Sequence, residues 1–140
     1  MRGWLNAFVH VMMPLGVKRT RLTPEVKVAY QGPFSSKPAR RATHVFPREI
    51  QGSSAFLAEV EAGLEKIASL PALIVWGDRD VAFRDQERAR FERLFANHRT
   101  VILHGAGHYI QEDASDEIVR AVLTWWDEKV ADSLEASDGS

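Results

Sequence analysis

Cysteine is absent from the 140 residues. That removes a disulfide scaffold, an iron–sulfur site and a thiol nucleophile, and it suits a reducing compartment. An excess of either charge is also missing: 18 Lys and Arg stand against 19 Asp and Glu, a formal net charge of −1. Such a balance supplies no broad basic footprint for a phosphate backbone or an anionic membrane, so no nucleic-acid partner is expected. No uninterrupted apolar run approaches the roughly 18 residues of a membrane-spanning helix. The opening stretch, Met1 to Val17, has the outline of a signal peptide, but Asn6 and His10 interrupt it and Pro14 breaks it. Lys18, Arg19 and Arg21 follow with no small-x-small cleavage site, so the expectation is a cytoplasmic protein without a membrane partner.

What is present is an average globular mixture, 45% apolar and 26% charged, which excludes intrinsic disorder and fibrous repeats. The chain changes character near Leu70. Before it lie five prolines (Pro14, Pro24, Pro33, Pro38, Pro47), and the pattern reads as short helical pieces joined by turns, a portion covering residues 1–69. Thr23-Pro24-Glu25 is a helix start, with Thr23 as N-cap, and Gly32-Pro33 stops that helix near Tyr30. A second helix is predicted over 54–69, where Phe56, Leu57, Val60, Leu64 and Ile67 recur on one face. Ser53 or Ser54 suits its N-cap. Trp4, Phe8 and Met12 form an apolar stripe near the start.

After Leu70 the pattern is that of an α/β protein. Ala72 to Trp76 is a continuous apolar run bounded by Pro71 and Gly77, as in a strand buried on both faces. A charged helix follows over about 85–96 with Phe91, Leu94 and Phe95 on one stripe, then a short strand from Thr100 to His104. A last helix is predicted over 116–130, with Ile118, Val119, Val122, Leu123 and Trp126 inward, and a frayed tail over 131–140. Strand, helix, strand, helix over residues 70–130 is a βαβα unit, so its two strands should be parallel.

Loops gather reactive groups beyond the carboxyl ends of parallel strands. Gly77-Asp78-Arg79-Asp80 follows the first strand and Gly105-Ala106-Gly107-His108 follows the second. A carboxylate accepting from one imidazole N–H fixes the tautomer and leaves the other nitrogen to take a proton from water or a hydroxyl. Asp80 is the preferred carboxylate for His108, with Asp78 as the alternative. His104 and His108 are four apart, but the glycines between them argue for a loop and no third ligand is apparent, so no metal is expected.

Ile74-Val75-Trp76-Gly77-Asp78-Arg79-Asp80 and Gly105-Ala106-Gly107-His108-Tyr109-Ile110-Gln111-Glu112-Asp113 resemble the C-terminal part of the α/β-hydrolase fold, and more narrowly its haloalkane dehalogenase branch. Ala29 to Phe34 and Phe46 to Ile50 are similar to the cap that these enzymes place over the active site. The likeness covers roughly residues 20 to 128. It implies a partial α/β-hydrolase fold, a helical cap segment followed by two parallel strands, with Asp80 as triad acid and His108 as general base. It implies no metal and no organic cofactor. Val81 and Tyr109, directly after the triad positions, would line the pocket for a small haloalkane or ester.

One departure stands out: no G-x-[DS]-x-G elbow occurs in the sequence, so no nucleophile is found in this chain. Gly52-Ser53-Ser54-Ala55 lacks both the preceding strand and the second glycine. The donors that early strands contribute to an oxyanion or halide site are missing as well. The chain therefore reads as a fragment of a dehalogenase-type hydrolase, or of an epoxide hydrolase or esterase, or as an inactive remnant serving as an interaction module. Isolation of the Ala72–Trp76 strand should leave an unpaired edge that favours self-association.

Overall fold

The computed structural model describes residues 11–36, 38–39, 41, 45, 48–49 and 52–138, with side chains through residue 129. The apolar run after Pro71 forms strand β1 (Ala72–Gly77), and it pairs in parallel with β2 (His98–Leu103) from Ala72↔His98 to Gly77↔Leu103. The second strand begins two residues before the Thr100 start read from the sequence and ends one before His104. Its polar first pair, His98 and Arg99, belongs to the ladder because β1 supplies six partners, whereas Gly105 at φ 80° turns the chain out after Leu103.

A parallel pair needs a long crossover. Here it is helix α4 (Asp85–Leu94). Glu87 caps its start by accepting from the Arg84 N–H at 2.7 Å. Arg88 and Thr100 both reach Glu92, at 2.6 and 2.8 Å, which fastens α4 to β2.

Among the described residues the N-terminal half has three α-helices and two 3₁₀ turns. Helix α1 (Met13–Gly16) is a single turn. Helix α2 (Pro24–Gln31) starts as expected, with the Thr23 hydroxyl accepting from the Val26 N–H and Pro24 in its first turn. It gives way to a 3₁₀ turn at Gly32–Phe34. Helix α3 (Ser54–Leu64) ends in a second 3₁₀ turn, Glu65–Ile67, short of the predicted Ser69. Ser53 stands at the N-cap position of α3, but its hydroxyl donates to Glu49 at 3.2 Å and caps nothing.

Two helices complete the C-terminal half: α5 (Ile110–Asp113) and α6 (Ser115–Asp138). The predicted tail over 131–140 is helical as far as Asp138. Ala131, Leu134, Glu135 and Ala136 favour helix, and the first glycine comes only at Gly139.

Burial is concentrated in two small clusters. Met13, Val17 and Leu22 pack with Val26, Tyr30 and Tyr109. Leu103, Ala106 and Ala114 pack with Val75, Val101, Ile110 and Ile118. Met13, not Met12, carries the inward position of the first helical stretch: Met12 is exposed, and Trp4 and Phe8 lie outside the described residues. The inward stripe predicted for α6 is also corrected. Ile118 packs, but Val119, Val122, Leu123 and Trp126 are exposed, as are Phe56, Leu57, Val60 and Ile67 on and after α3. Two strands about 4.8 Å apart present too narrow a floor to cover such faces.

Candidate active site

Because Gly77 and Leu103 are partners at the end of the ladder, the two turns that follow leave the sheet at the same rim. They are stitched together by backbone. The Arg79 N–H donates to the Ala106 carbonyl at 2.9 Å, and the Gly105 N–H donates to Asp78 Oδ1 at 2.6 Å. Contact is close enough that Gly77 tolerates no side chain: a Cβ there would stand 2.6 Å from the Ala106 oxygen and 2.7 Å from that of Gly107.

Asp78 and Asp80 then part company. Asp78 Oδ2 meets Nδ1 of His104 at 3.0 Å, on an imidazole that is 85% exposed. Asp80 meets Nδ1 of His108, 3.0 Å from Oδ2 and 3.1 Å from Oδ1. Asp78, the alternative acid in the sequence, is therefore occupied with His104 and Gly105, and Asp80 takes His108. The two imidazoles four apart turn to different carboxylates.

Asp80 is held from behind by its own turn, with Oδ1 accepting from the Ala82 N–H at 2.8 Å and the Phe83 N–H at 3.1 Å. Burial pushes the Asp80 carboxyl up, but the N–H groups of Phe83 and Ala82 and the His108 ring outweigh it and hold the pKa below the ordinary value. An ionised carboxylate only accepts, so the Nδ1–H of His108 donates, and in the neutral imidazole the lone pair then lies on Nε2. The His108 ring lies 5.3 Å from that of Phe83 and meets Tyr109 edge-on at 5.1 Å. Its backbone N–H donates to the Gly16 carbonyl at 2.8 Å.

The remaining pocket candidates separate. Val81 is 64% exposed, while Tyr109 is half-buried against the Met13 cluster. A cleft of about 190 Å³ beside the Asp80 carboxylate is lined by Trp76, Gly77, Asp78, Phe83, Arg84 and Asp85. Clefts of about 430 and 440 Å³ lie elsewhere, between α3 and α4 and along β1. Neither is lined by Asp80 or His108, so size does not locate the pair. Sequence reasoning overlooked Phe83 and Gly16. A ring three residues beyond an acid carries no pattern of its own, and the close approach of Gly16 depends on a contact 92 positions away.

No family model matches the chain. A cis-3-alkyl-4-alkyloxetan-2-one decarboxylase of Shewanella oneidensis is 32% identical over 123 residues, covering 84% of this chain and 38% of the relative. Haloalkane dehalogenase 2 of Mycobacterium tuberculosis is 32% identical over 120 residues, covering 84% of this chain and 42% of the relative. A haloalkane dehalogenase loop variant from Bradyrhizobium elkanii superposes with a TM-score of 0.81 at 28% identity, over 97% of this chain and 48% of that one. The chain belongs to the α/β-hydrolase superfamily and is haloalkane dehalogenase-like. This α/β-hydrolase chain spans less than half the length of the curated relatives it matches, 38% and 42%.

Proposed function

We propose that this chain is the acid–base portion of a haloalkane dehalogenase-type hydrolase, in which Asp80 orients His108 and His108 activates water. One observation supports the reading above others: the Asp80 carboxylate at 3.0 Å from Nδ1, which in the neutral ring puts the acceptor lone pair on Nε2. By the resemblance, an Asp nucleophile outside these 140 residues displaces halide from an alkyl carbon and becomes an alkyl ester. Nε2 of His108 then takes a proton from water as the oxygen attacks the ester carbonyl. The alkyl–oxygen group leaves as the alcohol after taking that proton. The carboxyl left behind releases the water's second proton to solvent to restore the nucleophile's carboxylate, so that each turnover yields alcohol, halide and one proton. The elbow residue decides among dehalogenase, epoxide hydrolase and esterase, so the substrate class is a small haloalkane or ester. No metal or organic cofactor enters this scheme.

A second reading rests on the Shewanella relative, which is as similar as the dehalogenases. The same acid and base would then serve the opening of a cis-3-alkyl-4-alkyloxetan-2-one.

The test has two arms. The 140-residue chain alone is expected to release no halide from 1,2-dibromoethane above a His108→Ala control. Joined in one polypeptide to the preceding half of the Bradyrhizobium elkanii dehalogenase, it is expected to release halide only while His108 is present. His108-dependent turnover by the chain alone would overturn the external nucleophile. A folded fusion whose halide release is indifferent to His108→Ala would overturn the role of the base. A fusion that liberates carbon dioxide from an oxetan-2-one and no halide would favour the second reading.

A further inference from the structure

Asp113 is a buried carboxylate that the chemistry above leaves unused. Its side chain closes α5 and points back at two separate stretches of chain. Oδ2 accepts from the Gly107 N–H at 2.7 Å and, with Oδ1, from the Lys18 N–H at 2.9 and 3.0 Å. Oδ1 also accepts from the Arg19 N–H at 2.8 Å and the Thr20 N–H at 3.2 Å. Four backbone donors converge on one carboxylate that is 7% exposed.

Those donors flank the candidate base. Gly107 precedes His108, and the His108 N–H itself donates to the carbonyl of Gly16, two residues before Lys18. The two stretches touch so closely that a Cβ on Gly107 would stand 2.1 Å from the Gly16 oxygen. Both therefore meet at Asp113, and the imidazole leaves the backbone at the knot between them.

We infer that Asp113 is a positioning residue, whose carboxylate fixes the backbone from which His108 reaches Asp80; the inference rests on the reading of His108 as the base. Ionisation is what the task requires, since only the carboxylate has acceptors for four N–H groups and an Asn would turn an NH₂ toward some of them. Burial pushes the Asp113 carboxyl up, but the N–H groups of Gly107, Lys18, Arg19 and Thr20 prevail and hold it below the ordinary value.

The experiment uses the full 140-residue chain, and its readout is the tautomer of His108, taken from the ¹⁵N shifts of its ring at neutral to mildly basic pH. The wild-type ring is expected in the Nδ1–H form. Asp80→Ala should lose that single form, and Asp113→Asn should lose it too although Asp80 is intact. Asp80→Ala without effect would overturn the acid–base pair itself, and the inference with it. Loss in Asp80→Ala but not in a folded Asp113→Asn would overturn the inference alone.

Should Asp113→Asn fail to fold, amide hydrogen exchange on the wild-type chain decides. The N–H groups of Gly107, His108, Lys18 and Arg19 are expected to exchange at one common rate, as parts of one clasp. Exchange of Gly107 and His108 independently of Lys18 and Arg19 would overturn it.

Discussion

Asp78 and Asp80, two residues apart in one turn, hold one imidazole each: His104 at 3.0 Å on an exposed surface and His108 at 3.0 Å, half-buried between Phe83 and Tyr109. The partners look alike in sequence and differ in setting. Asp80 is 10% exposed and Asp78 35%, so water competes far more for the His104 pair.

That difference gives the first prediction. In the fusion that restores turnover, Asp80→Asn is expected to lower halide release by about 10⁴-fold, the scale seen when a triad acid is replaced by its amide. Asp78→Asn should cause a much smaller loss. Steady-state rates on 1,2-dibromoethane decide, and equal losses in the two variants would deny Asp80 its special place.

Acid should loosen the fold through its depressed carboxyls. Asp80 and Asp113 have native pKa values below their ordinary ones, so the unfolded chain binds protons first as pH falls. Their contribution is complete above the unfolded value of about 3.9 and is lost as pH drops from there through the native values. Thermal midpoints measured through the acid range should fall in that window. The fall should be shallower in Asp113→Asn, and an identical slope in the variant would count against it.

Two glycines of the histidine loop should respond differently to an added methyl group. At Gly105 a Cβ would make only ordinary contacts with Arg19, 3.7 Å from its Nε, but φ is 80°, so Gly105→Ala should cost about 1–2 kcal/mol of backbone strain. At Gly107 the obstacle is the Gly16 carbonyl and the Lys18 Cγ, 2.7 Å away. Overpacking against main chain gives little room to relax, so Gly107→Ala should cost more than Gly105→Ala, beyond the usual 1–3 kcal/mol or so. Urea titrations of both variants check the order.

The strand edge offers a fourth. Among the described residues β1 pairs only with β2, and the cleft beside it is lined by Ile67, Leu70, Leu73, Val75, Phe91 and Phe95. An apolar strand with one unpaired side is a template for further pairing. Sedimentation of the isolated chain should show a mass that grows with concentration, and the fusion should remain smaller in its number of copies. A chain that stays monomeric across the whole range would refute this.

The strand–helix–strand order was legible because each element is marked by local features: Pro71 and Gly77 around an apolar run, and Phe91 with Leu94 in a charged stretch. Asp80 and His108 were legible for the same reason, each standing a few residues beyond a strand. Asp113 was visible only as part of a motif. Three of its four partners are N–H groups 93 to 95 residues away, and a backbone donor leaves no trace in residue type. The α6 stripe misled for another reason. Periodicity identifies an apolar face but says nothing about whether a partner is present to cover it. Val119, Val122 and Leu123 have the right spacing and face solvent.

The six-residue ladder from Ala72↔His98 to Gly77↔Leu103 sets the spacing between the Asp80 carboxylate and the His108 ring. Sliding one strand past the other by a single position would move the imidazole along the sheet by about 3.3 Å, roughly the length of the bond it makes with the carboxylate. Under the acid–base role proposed for the pair, substitutions at the far end of β1, remote from both side chains, would alter turnover by changing how far His108 stands from Asp80.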